Sequence, residues 1–325
     1  MSFPMTLRVA GVRAEARDIM TFELRSLAGG VLPAFQPGAH LELEVADIEG
    51  SAQSLLRHYS LCNPATQRDR YVVTVALDAT GRGGSRAMHA GWRVGSLVRA
   101  RSLANHFELT ARAPRYSFIA GGIGITPIRS MIHWCEDNGR AWSLLYCTRS
   151  RVRTAFLEEL RAYGDRVAFH FADEHAGARA DVHTAIDLLE PGEHVYCCGP
   201  ASLMSAVAAA STARAPGSVH FEWFAAPQGG VAGGGETRPF EVVLRRSGLS
   251  LRVDADRSIL DTLEANGISV PSACREGLCR TCETGLCAGE ADHRDMVLSE
   301  SERAAQTSLM VCVSRAHSNV LELDL

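Results

Sequence analysis

The chain predicts a multidomain α+β and α/β protein: an antiparallel β-barrel, then a parallel α/β domain, then a small cysteine-centred domain. Three observations carry this. Short strand-like segments punctuated by glycine and proline fill the N-terminal third, at 7–12, 20–24, 40–45, 58–61, 71–77 and 97–100. From about residue 115, apolar strands alternate with helical stretches, the pattern of a parallel sheet. A glycine-rich run at 226–238, without hydrophobic periodicity, then reads as a linker to a cysteine-rich tail.

In the second region, strands are expected at 116–120, 142–147, 167–171 and 194–198, with helices at 127–137, 154–163, 182–189 and 201–210. In the third, 240–245 and 249–253 read as a hairpin, and Ser258 with Asp261 offers a capping-box start to a helix ended by Gly267. The 325 residues are 46% hydrophobic and 22% charged with a net charge of −4, a globular composition without the basic footprint of a nucleic-acid binder. The opening MSFPMTLRVAG lacks a signal peptide's apolar core, and no long apolar run follows, so the expected location is cytoplasmic and no membrane partner is expected. Ten cysteines in such a chain imply ligands and buried thiols rather than disulfides.

Cys274, Cys279 and Cys282 stand in PSACREGLCRTCETG with spacing C-x4-C-x2-C, and Cys312 follows in LMVCVS. That is the plant-type [2Fe–2S] spacing, in which a tight loop offers three thiolates and a later strand the fourth. Zinc ribbons show two C-x2-C pairs and only one is present; a Rieske cluster would need histidine ligands paired with cysteines. The expected centre is therefore of the low-potential type. Cys62, Cys135, Cys147, Cys197 and Cys287 are expected to be packed thiols, and the lone E-x-x-H at Glu290–His293 to be structural or interfacial.

Gly121-Gly122-Ile123-Gly124-Ile125-Thr126-Pro127 joins a strand to a helix, where glycines admit close backbone approach and the helix N-terminus offers N–H groups to a phosphate. Thr126 is expected to cap that helix, with Pro127 in its first turn. Cys198-Gly199-Pro200 ends a later strand of the same sheet, where a thiol could lie beside a nicotinamide ring, although a buried cysteine before a turn is as ordinary. In the barrel, Arg57, Tyr59, Ser60 and Leu61 share one short strand, and Gly81–Ser85, with Gly83 and Gly84, can form an anion-binding turn. Together they suit a flavin; separately each is an ordinary strand or turn.

The succession R-x-Y-S, G-x-G-G-S, GGIGITP, YCTRS, CGP, HFEWF and C-x4-C-x2-C…C resembles the phthalate dioxygenase reductase family, which includes vanillate demethylase reductases, over essentially the whole chain. The resemblance implies an FMN barrel at 1–112, an NAD(P)-binding α/β domain at 113–226, a linker at 227–238 and a β-grasp plant-type ferredoxin at 239–325. It implies that Arg57, Tyr59, Ser60, Leu61, Gly83, Gly84 and Ser85 hold FMN (rather than FAD), and that Gly122, Gly124, Thr126, Arg149, Cys198, Gly199 and Pro200 hold the nucleotide. Phe224 would pack on the flavin ring, against the alternative of a core residue. Arg149, Arg151 and Arg153 suit either a 2′-phosphate or solvent; the resemblance favours NADH over NADPH.

A hydride carries two electrons and a [2Fe–2S] centre accepts one, so a group between them must divide the pair; a flavin does so. Cys198, Tyr59 and Ser60 are the residues expected beside the reacting rings. The expected partner is a terminal Rieske non-haem iron oxygenase. An iron–sulfur redox sensor without turnover is the alternative from another class, disfavoured because it would need neither the glycine loop nor CGP.

Overall fold

A computed structural model describes residues 3–45, 55–225 and 237–325, and the chain divides into two compact units, Met1–Phe224 and Ala225–Leu325. The expected linker lies, except for Thr237 and Arg238, outside the described residues. Among the described residues, no helix is long and apolar enough to cross a membrane.

The first unit opens with β1 (Met5–Ala16), β2 (Ile19–Ser26), β3 (His40–Val45), β4 (Leu55–Ser60), β5 (Tyr71–Ala76), α1 (Gly84–Gly91) and β6 (Leu97–Ala104). Strand order is β4-β3-β6-β1-β2-β5. The two edges meet where Leu61 bridges to Val73 and Cys62 N–H donates to Val72 O at 3.0 Å, which closes the barrel. Alternation explains the filling: Leu41, Leu43 and Val45 of β3 point inward with Phe22, Leu24 and Val73, while His40, Glu42 and Glu44 take the other face.

Next come β7 (Arg115–Gly121), α2 (Ile125–Asp137), β8 (Ala141–Thr148), α3 (Leu157–Arg161), β9 (Val167–Phe171), α4 (Val182–Asp187), β10 (His194–Gly199), α5 (Ala201–Ala210) and β11 (Val219–Trp223). The sheet runs β11-β10-β7-β8-β9, all parallel, a doubly wound sheet whose order reverses between β7 and β10. Residues 219–223 form a strand the sequence did not predict: the segment VHFEW is short and half polar. The helix expected at 154–163 shortens to α3, because Phe156 takes a left-handed conformation (φ 57°) just before it. Barrel residues Ile19, Cys62 and Phe107 pack into one core with Phe118, Ile125 and Tyr196, so barrel and sheet share buried surface.

The second unit contains β12 (Phe240–Leu244), β13 (Ser250–Val253), α6 (Ile259–Ala265), β14 (Glu283–Ala288), β15 (Ala291–Asp292), α7 (Glu300–Ala305), β16 (Ser308–Met310), β17 (Arg315–Ala316) and β18 (Val320–Leu323). The expected hairpin forms, and Ser258 and Asp261 make both bonds of a capping box on α6. The sheet order is β13-β12-β18-β14-β16, with β12 and β18 parallel. Cys62, Cys135 and Cys197 are buried as expected, but Cys287 is exposed, at the register shift where β14 pairs with β18. That irregularity turns its side chain out of the core.

Candidate functional site

The topology places the glycine loop after β7 directly beside the CGP segment after β10. Cys198 pairs with Ala120 of β7 on one side and Glu222 of β11 on the other. A Cβ added to Gly124 would sit 2.2 Å from Cys198 O and 2.7 Å from Gly199 N, so the loop can cross the strand end only without a side chain. Gly122 is glycine for another reason: φ is +51°, and nothing lies within 4 Å of its missing Cβ. Here the structure departs from expectation. Helix α2 starts at Ile125, Thr126 lies inside it and donates Oγ1–H to Ile123 O at 3.0 Å, and no side chain caps the helix. The first-turn N–H groups at this sheet edge are left uncapped by any side chain, and Pro127 occupies a position that needs no donor.

Three side chains converge beside this crossing. Cys198 is wholly buried, and burial, then the nearby Glu222 carboxylate, push its thiol well above the ordinary range, so it is neutral. Ser60, at the end of β4 in the barrel, donates Oγ–H to Glu222 Oε2 at 3.5 Å. Burial raises the Glu222 carboxyl to about 8, with the Ser60 bond opposing. Glu222 was missed in the sequence; its signal was a single acid inside the aromatic run HFEWF. A carboxyl whose pKa is raised on folding favours the fold while protonated, and that contribution is lost as pH climbs from the ordinary carboxylate range to about 8. Glu222→Gln is therefore expected to flatten the decline in Tm over that interval, read by thermal denaturation at a series of pH values.

Phe224, just past β11, is 41% exposed, which excludes the core reading. Tyr59 is partly buried against the barrel core, and burial raises its phenol. Leu61, by contrast, is fully inside the barrel and offers only its backbone, donating N–H to Ala39 O at 2.8 Å. Arg57 lies along Gly84, donating from Nη2 to Arg82 O at 2.6 Å and from Nη1 to Leu56 O at 2.7 Å. Gly83 (φ +83°) begins α1, and Ser85 Oγ accepts from Asp78 N at 3.0 Å, so that hydroxyl helps shape the turn. The structure thus brings a guanidinium, a glycine turn and a helix start together, a donor set that fits a phosphate.

After β8, Arg151 is taken by Glu174 (Nη2–Oε2 3.0 Å) and stacks over Phe171 at 4.3 Å, while Arg153 pairs with Asp18 of the barrel at 2.7 Å. Arg149 is exposed and makes no ion pair with another described residue. The three arginines therefore do not form one cationic pocket.

In the second unit, the thiol of Cys274 reaches those of Cys279 and Cys312, and Cys312 reaches Cys282. Arg275 (φ 56°), Gly277 (φ 70°) and Arg280 (φ 58°) all take left-handed conformations, coiling the loop tightly around the sulfurs. Glu276 N and Leu278 N donate to Cys274 Sγ at 3.4 and 3.3 Å, and Thr281 Oγ1 donates to Cys279 Sγ at 3.1 Å. Four convergent thiols with donors already directed at sulfur fit an anionic, thiolate-held iron–sulfur centre. In the E-x-x-H, Glu290 uses its carbonyl to accept His317 N–H at 2.8 Å, while the His293 side chain is buried beside Asp295, Nδ1 3.8 Å from Oδ1.

Residues 242–317 match the 2Fe-2S iron-sulfur cluster binding domain, and residues 118–209 the oxidoreductase NAD-binding domain. The chain is 44% identical over 325 residues to the phthalate 4,5-dioxygenase oxygenase reductase subunit of Pseudomonas putida, covering 98% of this chain and 96% of that one. The solved structure of phthalate dioxygenase reductase, described as modular for electron transfer from pyridine nucleotides to [2Fe–2S], is similar with a TM-score of 0.71 at 41% identity, over 99% of this chain and 98% of that one. An intact type IV self-sufficient cytochrome P450 monooxygenase is similar with a TM-score of 0.89 at 37% identity over 99% of this chain; this chain spans 41% of that protein's length. Identity at this level across nearly the full length of both sequences places the chain in the phthalate dioxygenase reductase family.

Proposed function

We propose that this chain is the reductase component of a multicomponent oxygenase system, oxidising NADH at FMN and passing electrons singly through its [2Fe–2S] centre to a terminal Rieske non-haem iron oxygenase. The observation that carries the reading is the meeting of Ser60, Cys198 and Glu222 at the sheet's switch point, in a chain that also holds a four-thiol loop. Bound FMN supplies acceptance of a hydride and release of its electrons one at a time, and the cluster accepts one.

The protein's own groups bind and orient. Arg57 and the Gly83–Gly84 turn would hold the flavin phosphate, Tyr59 and Ser60 would flank the ring, and the exposed Phe224 would pack on it. Gly122 and the uncapped start of α2 receive the nucleotide's phosphates, with Gly199 and Pro200 closing the far side. Cys198, held neutral by burial, lines the place where nicotinamide meets flavin. No side chain need act as acid or base in hydride transfer. The cluster is held by Cys274, Cys279, Cys282 and Cys312.

NADH is favoured over NADPH because Glu174 occupies Arg151 and Asp18 occupies Arg153, leaving a 2′-phosphate without a paired cationic clamp. Glu174→Gln is expected to raise the NADPH-to-NADH ratio of kcat/KM severalfold, about 1 kcal/mol for a freed charge-assisted contact, as measured by steady-state kinetics with both nucleotides. The whole reading is tested by anaerobic NADH titration of the purified protein, followed by absorbance, with the released flavin identified. Bleaching of both flavin and iron–sulfur bands with release of FMN is expected; release of FAD, or a zinc-loaded second unit, overturns it.

A further inference from the structure

Behind the cluster loop lies a buried ionic group outside the ligand set. Asp295 is 0% exposed. Its Oδ2 accepts from Val297 N at 3.1 Å and Leu298 N at 2.8 Å, while its Oδ1 is buried with no hydrogen-bond partner among the described residues. Two basic side chains face it. Arg303 Nη2 stands 3.7 Å from Oδ2 and is spent on donating to the Asp295 carbonyl, and His293 Nδ1 lies 3.8 Å from Oδ1. Burial lowers the His293 pKa, with the Asp295 carboxylate opposing. The carboxylate is thus fixed in place and only partly compensated, a costly arrangement in a domain of this size.

Its neighbour is the cluster loop itself. Met296 N donates to Gly277 O at 3.0 Å, and a Cβ on Gly277 would meet the Asp295 Cα at 3.0 Å and Val313 Cγ2 at 2.7 Å. Gly277 stands between Glu276 and Leu278, the two residues whose amides donate to Cys274 Sγ. The backbone of Asp295 and Met296 therefore holds those two N–H donors in their aim. Its buried charge acts on the same place through low-dielectric protein.

We infer that Asp295 and Arg303 are a positioning and tuning pair for the iron–sulfur centre: Asp295 holds its reduction potential down, and Arg303 offsets part of that effect. The inference rests on the four cysteines holding a [2Fe–2S] centre. A negative charge fixed near the cluster disfavours the added electron, and a positive charge favours it. Charge removal at the two positions must then act in opposite directions, which loosening of the loop would not produce.

The test is a redox titration of the full chain followed by electron paramagnetic resonance, comparing wild type with Asp295→Asn and Arg303→Gln. Asparagine keeps an oxygen for Val297 and Leu298, so the turn is retained. The expected result at the wild-type midpoint is a reduced-to-oxidised ratio several-fold higher in Asp295→Asn than in wild type, up to about tenfold, which is about 59 mV for a one-electron couple. A smaller decrease is expected in Arg303→Gln. Equal midpoints, or shifts of the same sign, overturn the inference. If Asp295→Asn fails to load a cluster, Arg303→Gln decides alone: a lowered midpoint supports the inference and an unchanged or raised one overturns it. Absence of a [2Fe–2S] signal in wild type would instead sink the cluster reading itself.

Discussion

Replacing Cys312 by alanine is expected to leave hydride transfer to the flavin within about twofold of wild type while electron delivery beyond it falls by more than about a hundredfold. Loss of an outer-shell partner typically costs 10–100-fold in metal affinity, and loss of a direct ligand costs more. Cys312 stands between β16 and β17 with its thiol against those of Cys274 and Cys282. Its removal opens one side of the four-thiol group. The first unit has its own cores, built without any residue of the second, so its chemistry should survive. Stopped-flow bleaching of the flavin by NADH measures the first quantity, and the reduced-cluster signal under the same conditions measures the second. Cys287→Ala, at the exposed thiol outside the ligand set, should change neither. A normal cluster signal in Cys312→Ala would remove this cysteine from the ligand set.

The second large effect is expected at Gly124. An alanine there brings a methyl group to 2.2 Å from the Cys198 carbonyl, and backbone, not a flexible side chain, stands in the way. The ends of β7 and β10 must part, at a cost of about 1–3 kcal/mol for a forced overpacking. Because Cys198 and Glu222 sit on adjacent strands at that edge, the displacement reaches the hydride path. A shift of about 1 Å can cost about a hundredfold in rate. Flavin bleaching by NADH in Gly124→Ala should slow by that order and saturate at higher NADH, while chemical reduction of the iron–sulfur centre proceeds as in wild type. Unchanged bleaching kinetics would mean that the loop does not form the nucleotide site.

The parts of this chain legible in its sequence were those in which residue type and spacing both answer to one cause. The C-x4-C-x2-C spacing follows from the number of thiolates a tight loop can bring to one point, and the strand–glycine–helix junction at 121–124 follows from backbone approach. What stayed hidden depends on neighbours remote in sequence. Thr126 had the chemistry of a cap, but the turn at Gly122–Gly124 runs into the helix and starts it earlier. Leu61 sat in the right motif, yet it lies just past β4, where the barrel closure at Val73 directs it inward. Glu222 gains its raised pKa from burial beside a strand more than twenty residues before it in sequence, against the opposing bond from a barrel hydroxyl, and neither neighbour is visible in HFEWF. The arginines after β8 read as a cluster, but two are claimed by Asp18 and Glu174 from other segments.

The two glycines of the nucleotide loop are constrained by different physics: at Gly122 the backbone angle disfavours most other residues while the space outside is open, and at Gly124 the angle is ordinary (φ −61°) while the space is filled. In a selected library randomised at both codons, position 122 should therefore retain a minority of asparagine and aspartate, the residues that tolerate a left-handed backbone, and position 124 should return glycine alone.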